Sequence, residues 1–451
     1  MTKQSLPYGL WQSPISPAML AGGIRLNDVQ WSADGEFLVW SQSQDGKTSL
    51  FAKPARDAAF DLSGELNPSG GVGYGGGDFF AGRQGAVICD RSGQLFFKSY
   101  GAGLARPITP AFGACASPVI TPDERFVIYV HTCENKDVLA IVPLDGGAWP
   151  KILQQGADFY MQPTVSPDGR QLAWVEWNHP NMPWDGARLL LARLDAEAGS
   201  LSELTLLDGD EKVPVFQPIF SPDGSSLAWL SNHGEWDQLK LLDLASGKVE
   251  TLTDERVLLP PAWVQGVRAL AWSADSRELF FLENQFSRTS LHTISISSRE
   301  IRNVPLAPFT LIEQPCISAK GEVALIAQSA AKPPSVLRIA GGEMEVVARS
   351  QSEVLPAAFL SQPKAIAWQS SDGVEVHGLY YPPANPDFEA EGAPPVIVYI
   401  HGGPTSQVFD AFNLEADFFT SRGYAYFAVN YRGSTGYGRA YRDALKGEWG
   451  R

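Results

Sequence analysis

Long hydrophobic runs are missing from this sequence, and their absence sets the first limit on function. No stretch approaches the ~20 consecutive apolar residues that a membrane-spanning helix needs. The first residues, MTKQSLPYGLWQSPISP, hold one lysine and no apolar h-region, so they do not read as a secretory signal. A cytoplasmic location and no membrane partner are expected. Cysteine is scarce: Cys89, Cys115, Cys133 and Cys316 are too few and too scattered for a disulfide framework. Set in apolar runs such as AVICD and PCISA, they read as small buried thiols. The six histidines (131, 179, 233, 292, 377 and 401) show no H-x-x-x-H spacing, and no C-x-x-C occurs. No metal site is proposed and no cofactor is expected. Positive charge is in deficit, 35 Lys and Arg against 50 Asp and Glu for a formal charge of -15, which argues against nucleic acid as a partner.

What the chain has instead is repetition. VQWSADGEFLVW at 29–40 returns as VITPDERFVIYV at 119–130, TVSPDGRQLAWV at 164–175, IFSPDGSSLAWL at 219–230 and LAWSADSRELFFL at 270–282. A weaker copy, CISAKGEVALIA, stands at 316–327. Each joins two apolar strands through a Ser/Thr-Pro/Ala-Asp turn, in which the carboxylate can accept a hydrogen bond from its own backbone two residues on. The turn aspartates are Asp34, Asp123, Asp168, Asp223 and Asp275, with Lys320 in the last slot, at intervals of 89, 45, 55, 52 and 45 residues. The first interval is about double the others, and residues 79–88 fit as a degenerate copy inside it. Seven units, each followed by two more strand signals, predict an all-β seven-bladed propeller over roughly residues 20–360.

Two other segments carry motif-like composition. Gly70 to Gly77, GGVGYGGG, lacks the Lys-Ser/Thr ending of a phosphate-binding loop and reads as a flexible connection between blades. The insertion WNHPNMPW places Trp177 and Trp184 between strands, either as aromatic filler or as the rim of a peptide site. Trp236, at another loop-to-strand junction, has the same two readings.

After a linker at 356–363 the pattern changes. Residues 364–369 and 374–381 predict a hairpin, and 396–400, VIVYI, reads as a strand buried on both faces. His401-Gly402-Gly403-Pro404 then turns sharply and frees backbone N–H groups of the kind that stabilise an oxyanion. A helix over 409–422 and a second buried strand over 424–429 follow, leading into NYRGSTGYGRAYRDALKGEWG.

HGGPTSQ and NYRGSTGYGRAYRDALKGEWG together resemble the prolyl oligopeptidase family of serine peptidases, in its acylaminoacyl-peptidase and dipeptidyl-peptidase-like branch. Residues 158–194 resemble a propeller blade of the same branch. The resemblance implies a propeller at 1–360, with an N-terminal extension, followed by the first part of an α/β-hydrolase domain at 361–451. It also implies a Ser-Asp-His triad with the Gly403 N–H as oxyanion donor, and a short peptide as substrate. No G-x-S-x-G occurs in the 451 residues. Ser434 comes nearest, but Arg432 stands where the first glycine belongs, so Ser434 reads as part of a structural loop. Two functions remain open: a serine peptidase represented by its N-terminal portion and inactive alone, or a non-catalytic propeller scaffold with a hydrolase remnant. A homo-oligomer or a complementing chain is a further expected partner.

Overall fold

The Ser/Thr-x-Asp turns form as the sequence leads one to expect. Ser32 Oγ donates to Asp34 Oδ1 at 2.7 Å, the same oxygen accepts from the Glu36 N–H at 3.0 Å, and the Phe37 N–H returns to Ser32 Oγ at 2.9 Å. The arrangement recurs around Asp168 and Asp275. At these two turns the donated bonds, first from the Ser166 and Ser273 hydroxyls, hold the carboxyl below its usual range. In the last copy Ser318 Oγ alone accepts from the Lys320 and Glu322 N–H groups, so the turn survives without its aspartate.

The computed structural model describes residues 3–351, 355–403 and 405–448, with the backbone alone for Asp254. Pro404 of the glycine turn and the terminal Trp449-Gly450-Arg451 lie outside the described residues. Seven antiparallel four-stranded sheets, each in simple sequence order, follow one another from Arg25–Trp31 to Glu343–Arg349. The degenerate repeat is the start of the second sheet, where Phe79–Ala81 pairs with Gly85–Cys89. Burial falls across the fourth sheet: Gln171–Trp177 is buried almost throughout, whereas the outer strand Ser200–Asp208 is mostly exposed.

The apolar layers lie between successive sheets rather than within one. Val39 and Leu50 of the first sheet pack with Phe79 and Ile88 of the second. Leu26, Val29 and Trp40 pack with Ala324, Ile326 and Val336 of the seventh, so the first and last sheets share a core. Trp174 and Trp229 are fully buried, with indole N–H groups satisfied by Glu176 at 2.9 Å and Asp208 at 2.7 Å. Truncating such a residue to alanine costs about 3–5 kcal/mol.

The remaining sheet is mixed, in the order Lys364–Gln369, Glu375–Tyr381, Ala425–Asn430, Val396–Ile400. Its last pair is parallel, as a strand–helix–strand crossover requires. The crossover helix spans Leu414–Thr420, shorter than the sequence pattern predicts, because Asn413 caps it by accepting from the Ala416 N–H at 3.0 Å. Residues 405–412 are irregular instead. The expectation that 396–400 is buried on both faces is not met. Val396, Val398, Tyr399 and Ile400 are 51%, 56%, 38% and 59% exposed, because this strand is paired on one side only. Phe412, Phe418, Phe419 and Phe427 are likewise only half-buried.

The N-terminal residues pack against this region. Gln4–Ser5 forms a parallel pair with Phe388–Glu389, Asn385 Nδ2 donates to the Gln12 carbonyl at 2.8 Å, and Arg422 donates to the Ile15 carbonyl at 2.8 Å. The four cysteines are free; Cys89 and Cys115 are buried as expected, while Cys133 and Cys316 are only partly covered. Among the described residues no helix is long and apolar enough to cross a membrane.

Candidate active site

The strand Val396–Ile400 delivers His401-Gly402-Gly403 to the end of the mixed sheet that faces the seven sheets. Gly403 has φ +74°, a left-handed conformation that a side chain resists. Gly402 and Gly403 are exposed, and the Gly403 N–H makes no hydrogen bond among the described residues.

His401 is turned inward and fixes the base of this turn. Its ring stacks on Tyr431 with centroids 4.5 Å apart, and the Tyr431 hydroxyl donates to the His401 carbonyl at 3.0 Å. Nδ1 lies 3.1 Å from the Gly402 carbonyl, which can only accept, so Nδ1 carries the proton. Nε2 then accepts from Ser434 Oγ at 2.8 Å. Burial pushes the imidazole below its usual value, against the opposing pull of the Gly402 carbonyl, so the neutral form is favoured. A serine bonded to a histidine invites comparison with a nucleophile and its base. Ser434 has no exposed surface, however, and the second nitrogen of His401 meets a backbone carbonyl rather than a carboxylate. The pair ties the Ser434 loop to the base of the glycine turn.

The loop after the turn is locked to the loop around Ser434. Thr435 N–H donates to the Ser406 carbonyl at 2.8 Å, and Val408 N–H to Asn430 Oδ1 at 2.7 Å. Asn430, fully buried, donates in turn to Ser287 Oγ at 2.9 Å in a hairpin of the sixth sheet. Asp410, 5% exposed, binds Arg288 at 2.7 Å and takes its own N–H to the Ser287 carbonyl at 2.8 Å. Arg439 reaches the Lys212 carbonyl at 2.6 Å and Asn232 Oδ1 at 3.1 Å, and Glu235 accepts from the Ala440 N–H at 3.1 Å. The sequence NYRGSTGYGRAYRD is thus largely an interface that docks the mixed sheet onto the other seven.

On the far side of the turn stands a residue that sequence reasoning missed. Trp263 donates its indole N–H to the Thr405 carbonyl at 2.7 Å, and its ring lies 3.9 Å from where a Cβ on Gly403 would stand. Trp184 packs against it at 4.6 Å, and the exposed Tyr74 meets it edge-on at 5.4 Å. Trp177, by contrast, stacks on Phe159 within the fourth sheet and is filler. Trp236 abuts Gly438 at the docking interface. The glycine-rich segment is packed rather than flexible: Val72 is buried, and a Cβ on Gly70 would lie 1.8 Å from the Gly76 carbonyl oxygen. Trp263 carried one available signal, its place in an unusually long connection between strands.

Comparison with known proteins places the chain among peptidases and related hydrolases. The C-terminal residues 410–451 match the family model described as the prolyl oligopeptidase family. Dipeptidyl-peptidase 5 of Porphyromonas gingivalis is 26% identical over 297 residues, 63% of this chain and 41% of that protein. The uncharacterized peptidase YuxL of Bacillus subtilis is 26% identical over 443 residues, 82% of this chain and 63% of its own. The chain therefore spans less than two thirds of either curated relative. A crystal structure of puromycin hydrolase superimposes with a TM-score of 0.89 at 30% identity, covering 99% of this chain and 72% of that one. A family model matched at the C-terminal end, together with a solved hydrolase that superimposes on nearly the whole chain at 30% identity, has one consistent reading: the chain belongs to the prolyl oligopeptidase family.

Proposed function

We propose that this chain is part of a serine-type peptidase that hydrolyses short peptides by acyl transfer, with the Gly403 N–H as a donor to the oxyanion. In this reading the seven sheets are the blades of a closed propeller, residues 1–360 with their N-terminal extension. Residues 361–451 are the first part of an α/β-hydrolase domain. The observation that carries the proposal is the exposed, left-handed Gly403, whose N–H has no partner among the described residues and whose surroundings hold it in place. Such a donor stabilises charge as it develops on the carbonyl oxygen and needs no reorganisation at that moment. The relatives named dipeptidyl-peptidase 5 and puromycin hydrolase support a peptide-like substrate. The serine that attacks, the histidine that takes its proton and the aspartate that orients that histidine are assigned to none of the residues described here.

The test needs a protein of the relatives' full length that begins with these 451 residues. It should hydrolyse aminoacyl- or dipeptidyl-p-nitroanilides. Gly403→Val should lower kcat by roughly two orders of magnitude with a smaller change in KM. An unchanged kcat would assign the turn to backbone geometry alone.

A further inference from the structure

The two longest connections within the series of seven sheets, residues 62–78 and 257–269, meet each other. Gln265 N–H donates to the Gly75 carbonyl at 2.8 Å, and Gly76 and Gln265 form a parallel bridge. A Cβ on Gly266 would lie 2.8 Å from Gly77 Cα, so both strands of chain need glycine to come this close.

From that crossing, residues 263–269 reach nearly every sheet. Arg268 pairs with Asp28 of the first, and its N–H donates to Gln314 Oε1 of the seventh at 2.7 Å. Gln265 accepts from Ser117 Oγ of the third at 2.9 Å and donates to the Tyr160 carbonyl of the fourth at 2.8 Å. Gln162 Nε2 donates to the Val267 carbonyl at 2.9 Å, and Gln217 Oε1 of the fifth accepts from the Ala269 and Leu270 N–H groups at 2.6 and 2.8 Å. A segment that leaves from between the fifth and sixth sheets and bonds partners on all sides of the series must lie across its axis.

Four of the partners come from one repeated device. Ser117, Gln162, Gln217 and Gln314 each precede a proline in the first strand of a sheet, each with a left-handed φ of 47–54°. Each sits where the pairing register slips. A bulge of this kind re-aims a side chain, here toward the axis. Beyond the segment lies a cavity of about 570 Å³ whose lining includes Gly266, Val267 and Arg268 together with Ser32 and Thr121 of the hairpin turns. The segment is its floor.

We infer that residues 263–269 are a plug that closes the axis of the seven sheets and holds Trp263 against the Gly402-Gly403 turn, making Trp263 a positioning residue for that turn. The plug stands on its own hydrogen bonds; the catalytic meaning of the positioning rests on the oxyanion function proposed for Gly403. With the axis closed, the seam between the sheets and the C-terminal region is the way to the turn.

Amide exchange and relaxation on the 451-residue chain test both halves. The amides of Gln265, Arg268, Ala269 and Leu270 should exchange as slowly as those of the neighbouring strands. Gln217→Ala should speed exchange at 269 and 270 at least tenfold. Exchange of these four amides at unstructured-chain rates in the wild type would overturn the plug. The Gly403 amide should have the order parameter of rigid backbone, about 0.85, and fall below about 0.6 in Trp263→Ala. Trp263→Phe, which keeps a ring without the indole N–H, should recover part of the rigidity and serves if the alanine variant does not fold. An unchanged order parameter in both variants would overturn the positioning role. Loss of rigidity in Trp263→Ala together with an unchanged kcat in Gly403→Val would keep this inference and reject the oxyanion reading.

Discussion

Asp417 offers a prediction whose size follows from its surroundings. It sits in the crossover helix Leu414–Thr420, 2% exposed, with Oδ1 accepting from the Ser361 N–H at 2.8 Å. Burial pushes its carboxyl from the ordinary 3.8 up to about 7, only partly opposed by the Ser361 N–H. A raised carboxyl means that the folded chain holds a proton that the unfolded chain has released. Stability therefore falls as pH rises from about 4 to about 7, by up to about 1.4 kcal/mol per unit, and levels off above that. Asp417→Asn keeps the shape and the acceptor oxygen and removes the ionisation. Its advantage over the wild type should grow from about 2 kcal/mol at pH 5 to at most about 4 kcal/mol at pH 8. The assay is urea unfolding of both proteins at several pH values, read on the transition of the C-terminal region. His401, kept neutral by burial, imposes the opposite slope, with stability lost as pH falls through and below its usual range, but it is common to both proteins and cancels in the difference. A difference that is flat between pH 5 and 8, or a variant less stable at pH 8, would refute the account of Asp417 as a buried carboxyl without a compensating charge.

Three further outcomes are expected. The 451-residue chain should not be labelled by a fluorophosphonate at Ser434, which is fully buried and bonded to His401; stoichiometric labelling there, read by mass spectrometry, would make it a nucleophile after all. Gly85→Ala would place a Cβ 2.2 Å from the Lys98 carbonyl oxygen in the adjacent strand, so calorimetry should show a loss of about 2–3 kcal/mol or more, and a loss below ~0.5 kcal/mol would contradict the packing. Deleting residues 1–22 removes the Gln4–Ser5 pairing and the bonds to Asn385 and Arg422. Limited proteolysis should then attack residues 361–448 first and leave the seven sheets resistant, and loss of both together would show a single cooperative unit.

The sequence by itself determined the repeating hairpins, because a Ser/Thr-x-Asp turn closes through bonds among residues within six positions of one another. Even the degenerate copy at Phe79 was legible from spacing alone. The glycine turn at Gly403 was legible for the same reason, its conformation being set by which residues lack a side chain. Two misreadings were nonlocal. An apolar pattern such as VIVYI shows that a strand wants covering, yet whether anything covers Val398 and Ile400 depends on which strands lie beside it. The glycine-rich segment looked flexible because its partner, Gln265, lies about 190 positions away in the chain. Trp263 was missed for the same reason: nothing within its own connection points to Gly403, and only the packing of parts of the chain about 140 positions apart brings the two within contact. Local bonds wrote the turns and strands into the sequence, and the packing of distant connections against one another decided what surrounds the Gly402-Gly403 turn.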